Sequence, residues 1–440
     1  MKSLSFRALF LSLVVVFLFT GLTNAANCRV TKTADTNDGS CDAGDCSLRE
    51  AVAEPSCALI DFSLSLVEQP INIGLGDIVI NRVLSIKGYG ADAISITGNN
   101  VFRIFYIVAG GNATISGVKL TGGAGNGTGT GGGGAIKNAG GTLTLNRVYL
   151  TGNNSQLGAA IAGNAIIYNS TISGNIGGSG WGDGAINAGM TCRLYNTTIA
   201  DNTGTGVFTL GFPFLVNSTI ANNSGPGVYM DFAAILEVSN SIVLDVSQGD
   251  IFSGAFSYGN NIMSSAAGTM RPVFGIQSDL IGVDPMLAPL ANYGGRMPTK
   301  PLLATSPGID RGNNQLTLDA GLTTDARGHL RFFDGDGNGL AIVDTGATEF
   351  GAPVAGTVTV SGRVLGMGSG NPLRSQTVTF RDLQGNTRTA LSSSFGWVVF
   401  ENVPVDAVYK LRVNARRGAV EKVVFADQDI TDADILIPGL

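Results

Sequence analysis

Three groups of residues in this chain have types and spacings that could do chemistry. The first is the run Asp334-Gly-Asp336-Gly-Asn338-Gly. Its oxygens fall at alternate positions around glycine bends, as in a loop that wraps calcium. The twelfth loop position, where such loops place a glutamate, is Thr345, so Asp344 or Glu349 would have to substitute. The alternatives are a calcium loop of Asp334, Asp336, Asn338 and Asp344, and an ordinary acidic turn. The second group is Cys28, Cys41, Cys46 and Cys57, which crowd into one short stretch. In an exported protein this is a disulfide framework with three connectivities open to it. A zinc site is the rival, and it has no nearby histidine or regular spacing to support it. Cys192 stands apart, in step with Leu194, and reads as a small buried hydrophobe. The third group is two single residues. Trp181, in the loop GGSGWGDG, could stack on a sugar ring or simply pack its loop. His329 is the only histidine, with no G-x-S-x-G elbow or triad order around it.

Between Ala113 and Leu244 the sequence repeats. LNRVYL at Leu145, YNSTIS at Tyr168, YNTTIA at Tyr195, VNSTIA at Val216 and SNSIVL at Ser239 place Asn146, Asn169, Asn196, Asn217 and Asn240 at intervals of 23, 27, 21 and 23 residues. Short β-runs at such a period, with no helical periodicity, describe a parallel β-helix. Two residues before each asparagine lies Thr144, Ile167, Leu194, Leu215 or Val238; three after lies Tyr149, Ile172, Ile199, Ile220 or Val243. Both columns should point inward and stack at the ~4.8 Å strand spacing. The asparagines suit the bends, where they tolerate left-handed backbone and can bond amide to amide as a ladder. Asn169, Asn196 and Asn217 also begin N-x-S/T sequons, but their place in the column makes the structural role the simpler one.

The repeat offers little for catalysis. Hydrolysis of an acidic glycan needs paired carboxylates, and elimination needs an acidic calcium cluster beside a base. The only acids between Ala113 and Leu244 are Asp183, Asp201, Asp231 and Glu237, and they share no column. The net charge is −6 with 14% charged residues, without the basic stripe of a nucleic-acid binder or the basic amphipathic face of a membrane binder. Arg412, Arg416 and Arg417 read as a solvated strand end.

Outside the repeat the chain divides further. Residues 1–25 combine Lys2 and Arg7 with an apolar run and small residues, as in a secretory signal peptide. No later stretch is apolar enough to span a bilayer as a helix. The segment Cys46-Ser-Leu-Arg-Glu-Ala51, preceded by TKTADTNDGSCDAGDC and followed by LSIKGYGADAISITG, resembles the CSLREA domain, which opens bacterial secreted β-helix proteins. Leu48, Ala51 and Val52 would form one face of a short helix covering the open end of the first coil. The run Asp284–Asn313, TDARG at Thr324 and DTGATEF at Asp344 resemble the choice-of-anchor Q family of surface or secreted proteins. From Thr357, VSGRV, the Gly385 segment and SFGWVVFENVP resemble carboxypeptidase regulatory-like modules, small non-catalytic sandwiches in which Trp397 and Phe400 would be core.

The expected fold class is all-β: a right-handed parallel β-helix with a disulfide-containing N-terminal cap and a C-terminal β-sandwich. The expected divisions are 1–25 signal, 26–60 cap, 61–282 β-helix, 283–351 its choice-of-anchor Q-like C-terminal part, 352–356 linker and 357–440 sandwich. The expected function is a non-enzymatic secreted or cell-surface stalk, adhesin or binding scaffold, with an extracellular glycan or surface protein as partner and no nucleic acid. The alternative is a pectate-lyase-like enzyme or a glycan-binding protein using the β-helix groove.

Overall fold

Short runs in which Ile, Leu and Val alternate with Ser, Thr and Asn can bury one face only if copies of the run stack. The computed structural model describes residues 26–125, 131–178, 183–230, 234–244, 255–263, 270–272, 278–415 and 418–438. In it the runs stack as three parallel sheets of eleven, ten and seven strands among the described residues. The sheets begin at Ala26–Val30, Pro70–Asn72 and Ile78–Ile80. Each strand pairs with its counterpart one coil on, so Leu145, Ile167, Leu194, Leu215 and Val238 form one continuous row. Leu150, Ile172, Ile199, Ile220 and Val243 form a second. Every member of both rows is fully buried. This is a parallel β-helix.

The register corrects the repeat at its first coil. Leu145 and Leu150, not Thr144 and Tyr149, carry the inward rows, and Asn146 pairs with Tyr168 rather than with Asn169. Arg147 takes the left-handed bend there (φ 55°), where Asn169, Asn196, Asn217 and Asn240 have φ of 46–48°. A shift of one residue exchanges the faces of a strand, so Thr144 and Tyr149 turn outward.

The cap closes the first coil. Ser47 and Glu50 form a capping box at the start of the Leu48–Ala53 helix, and Leu48, Glu50, Ala51 and Val52 are buried. The bonds Cys28–Cys57 and Cys41–Cys46 select one of the three connectivities. The first ties two neighbouring strands, Ala26–Val30 and Cys57–Phe62.

Residues 283–351 add no further coils among the described residues. They turn back along the row of bend asparagines, with one short helix, Asn314–Asp319. Residues 352–356 are held by backbone bonds, Leu330 N–H to Pro353 at 2.9 Å and Ala355 N–H to Gly328 at 3.0 Å. Beyond them a three-stranded sheet (Thr357–Gly366, Trp397–Pro404, Ile435–Ile437) faces a four-stranded one (Thr377–Asp382, Thr387–Leu391, Ala407–Ala415, Gly418–Ala426). Phe380 stacks between Phe400 and Tyr409 at 4.6 and 4.5 Å in the core between them. Trp397, expected in that core, is 42% exposed, with the Arg363 guanidinium 5.5 Å from its ring centre. The sandwich leans on the β-helix through Val408, Phe425 against Tyr89 at 4.9 Å, and Lys410 to Glu68 at 2.5 Å.

Candidate functional site

The bends of the β-helix decide where the polar side chains go. A residue held at positive φ suits asparagine, whose amide can bond across to the next coil. Asn169 donates to Asn146 and Asn196 donates to Asn169, both at 3.0 Å. Asn240 reaches Asn217 at a long 3.5 Å. Between Asn196 and Asn217 the ladder is broken by the returning segment, because Asn217 donates to the Asp344 carbonyl at 3.3 Å. Asn196 likewise donates to the Thr324 carbonyl at 2.6 Å. The ladder is therefore also a docking rail for residues 311–347.

A second ladder lies on the other side of the same short strands and was not among the expectations. Asn153, Asn175, Asn202 and Asn223 are buried, and each of the first three donates to the next at 2.9 Å. Its sequence signal was present: each lies six residues beyond the left-handed bend position, in TGN, SGN, ADN or ANN.

The motifs TDARG and DTGATEF come together where the returning segment meets the rail. Asp325 accepts from Arg327 Nη2 at 2.7 Å and from the Glu349 N–H at 2.9 Å. Asp344 accepts the N–H groups of Asp310 at 2.8 Å and Phe350 at 2.5 Å. Arg331 and Glu349 are fully buried, 3.4 Å apart, and Arg331 also donates to the Gly346 carbonyl. Burial pushes the Glu349 carboxyl up to about 9 against the pull of Arg331, with Asp344 adding to the rise. Burial likewise pushes Asp344 up to about 7. Gly346 has φ 106°, and a Cβ there would lie 2.8 Å from Thr219 Oγ1, so the motif needs glycine to seat against the rail.

The expected calcium loop is rearranged. Asp344 lies in the buried cluster, and Asp310 takes its place beside Asp334 and Asp336, each offering an oxygen within 4.8 Å of the others. Asp334 accepts three backbone N–H groups, from Gly337, Asn338 and Gly339, which hold its carboxyl below the usual range. Asn338 turns its amide onto Asp336 at 2.9 Å, as a donor rather than as a ligand oxygen. Asp310 Oδ1 is buried and faces no donor, and burial raises its carboxyl, with Asp336 and Asp334 adding to the rise. Asp310 Oδ2 accepts the Asp336 N–H at 2.6 Å, and three converging carboxylates fit a hard cation in charge and type. Sequence could not join Asp310 to the loop, because 24 residues of fold separate it from Asp334.

The other candidates settle simply. Cys192 is buried, and desolvation pushes its thiol up to about 12, so it is inert. His329 Nδ1 lies 2.7 Å from the Ala352 carbonyl, and burial lowers its pKa. Trp181, Asp231, Arg416, Arg417 and residues 1–25, expected as a signal peptide, lie outside the described residues. Three acids of the repeat lie on different faces. Asp183 precedes a strand of the seven-stranded sheet, Asp201 follows one of the ten-stranded sheet, and Glu237 sits in the eleven-stranded sheet. Asp201 is 3.7 Å from Lys300, and Glu237 accepts the Tyr258 hydroxyl at 2.9 Å. No described helix is long and apolar enough to cross a membrane. Comparison with family models, curated proteins and solved structures gives no match.

Proposed function

We propose that this chain is a non-enzymatic secreted or cell-surface protein of the CSLREA and choice-of-anchor Q type, whose β-helix is a rigid binding scaffold. One observation carries the reading. Three carboxylates of the repeat, Asp183, Asp201 and Glu237, lie at three different sheets, while the motifs TDARG and DTGATEF bind each other and fasten the returning segment to the coils through Thr324, Asp344 and Ala347. Acid–base work on a glycan needs two carboxylates within about 5–10 Å across one bond, and these sit on separate faces. The two disulfides favour an oxidising compartment, in keeping with export.

A glycan-binding surface without turnover is the second reading, and one feature favours it. On the outer face of the eleven-stranded sheet, Tyr168 and Tyr195 stack at 4.7 Å and Phe214 meets Tyr195 edge-on at 5.9 Å. The two tyrosines cover each other's faces, so a sugar would meet ring edges more than a platform.

The test is a glycan array on the full chain, followed by reducing-end and unsaturated-product assays on every hit. The scaffold reading expects no product from any bound glycan. Turnover would overturn it, and binding lost in Tyr195→Ala without turnover would support the second reading.

A further inference from the structure

The outer face of the four-stranded sandwich sheet has two unlike halves. Val408 and Phe425, paired across neighbouring strands, press one half against the β-helix. The other half is open and carries three cations on adjacent strands. Arg381 pairs directly with Lys410 and Thr379 with Arg412, while Thr387 and Thr389 flank them on the next strand. With Gly385, Asn414 and Glu421, most of these residues line an open depression of about 390 Å³.

Like charges directly opposite each other across strands are destabilising, so this arrangement needs a reason. Lys410 has one, because it lies 2.5 Å from Glu68 of the β-helix and 3.8 Å from Glu421. Among the described residues Arg412 has only the Asn414 amide oxygen at 3.3 Å as a bonded partner, with Glu421 across the strands. The Arg381 side chain forms no hydrogen bond or ion pair among the described residues. In a chain of net charge −6 the patch is a local reversal of sign.

We propose that this half-face is an oxyanion-binding subsite that takes the carboxylate or sulfate groups of an acidic polysaccharide. The guanidinium forks of Arg381 and Arg412 match a planar carboxylate or two sulfate oxygens. The hydroxyls of Thr379, Thr387 and Thr389 can donate to and accept from sugar hydroxyls. Among the described residues the depression is lined by no aromatic on which a base could stack, which separates it from a single-stranded nucleic-acid surface. The inference goes beyond the scaffold reading and does not depend on it.

The test is calorimetric titration of the full chain at low ionic strength with polygalacturonate, dextran sulfate and neutral dextran. Binding to either charged polymer and not to dextran is expected, and the polymer preferred tells carboxylate from sulfate. Arg381→Gln and Arg412→Gln should each weaken that binding about tenfold, the worth of one charge-assisted hydrogen-bonding group. Arg374→Gln, an exposed cation outside the depression, should leave it unchanged. All three side chains are solvent-exposed, and an unchanged melting temperature certifies the fold of each variant. Absence of binding to both charged polymers overturns the proposal. So does an equal loss in Arg374→Gln, which would mean diffuse charge rather than a site.

Discussion

Asn240 and Asn313 bond to each other in both directions, although 73 residues separate them. The Asn240 amide donates to the Asn313 carbonyl at 3.0 Å and accepts the Asn313 N–H at 2.8 Å. The Asn240 amide also lies 3.0 Å from Thr317 Oγ1, which in turn donates to Asn217 at 2.8 Å. One bend side chain of the β-helix thus holds both the first turn of the Asn314–Asp319 helix and the ladder.

The first prediction tests that rail. Asn240→Ala loses the side-chain hydrogen bonds to Asn217, Asn313 and Thr317 and places a Cβ residue at φ 47° without a local partner. The expected cost is about 3–5 kcal/mol in urea unfolding. Asn240→Gly keeps the left-handed backbone and should cost about 1 kcal/mol less than Ala. Equal losses would show that backbone conformation contributes nothing at this bend.

The disulfides should be unequal. Cys28–Cys57 closes a separation of 29 residues and Cys41–Cys46 one of 5. Restriction of the unfolded chain is then worth about 3.6 kcal/mol for the first and about 2 kcal/mol for the second. Replacing each pair by alanine and comparing denaturant midpoints checks the order. A larger loss at Cys41–Cys46 would mean that packing of the cap, not loop closure, sets the stability.

What could be read in advance follows the same division between local and distant. The inward rows through Ile167, Leu194 and Leu215 were legible because period and hydrophobicity agree over several coils. LNRVYL misled because Asn146 sits one place before the bend, where Arg147 imitates no other coil. Trp397 and Phe400 could never have shared a core, since residues three apart on a strand face opposite ways. Strict alternation, with Val398 and Phe400 buried, already places Trp397 outside. The segment 283–351 was opaque because it builds few strands and takes its shape from Asn196, Asn217 and Asn240. Asp310 reaches the Asp334 loop, and Asp325 reaches Glu349, only through that docking.

The buried acids give a pH dependence of unusual sign. Glu349, raised to about 9, and Asp344, raised to about 7, keep protons in the folded state that the unfolded chain releases near pH 4. Their stabilising contribution is full below pH 4 and is lost as pH rises through 7 to 9. Melting between pH 5 and 9 should therefore show a loss on the order of a few kcal/mol, and Glu349→Gln, which mimics the protonated acid, should flatten the curve. Glu50 acts at the other end. Burial pushes it up, but the Ser47 N–H, the Thr36 hydroxyl and the Asp38 N–H outweigh this and hold it at about 2. Its stabilisation is present above pH 4.5 and disappears as pH falls through 2. A profile that is flat from pH 5 to 9 in the parent chain would mean that Arg331 keeps Glu349 ionised.

The last prediction concerns the Asp310, Asp334 and Asp336 carboxylates. One oxygen of each converges within 4.8 Å of the others, so three like charges repel. A hard cation placed among them removes that repulsion. Calcium at a hundredfold excess over its dissociation constant would add about 2.7 kcal/mol to the folded state, so millimolar calcium should raise the melting temperature by several degrees. Asp310→Asn keeps the size of the side chain and the carbonyl that accepts the Asp336 N–H, now at 2.6 Å. It removes one of the three charges, so most of the calcium increment should vanish while the melting temperature without calcium stays the same or rises. Magnesium, which gives up its water reluctantly, should replace calcium poorly. If chelator and calcium give the same melting curve, the N–H groups of Gly337, Asn338 and Gly339 suffice to hold Asp334, and the loop is a self-closed acidic turn.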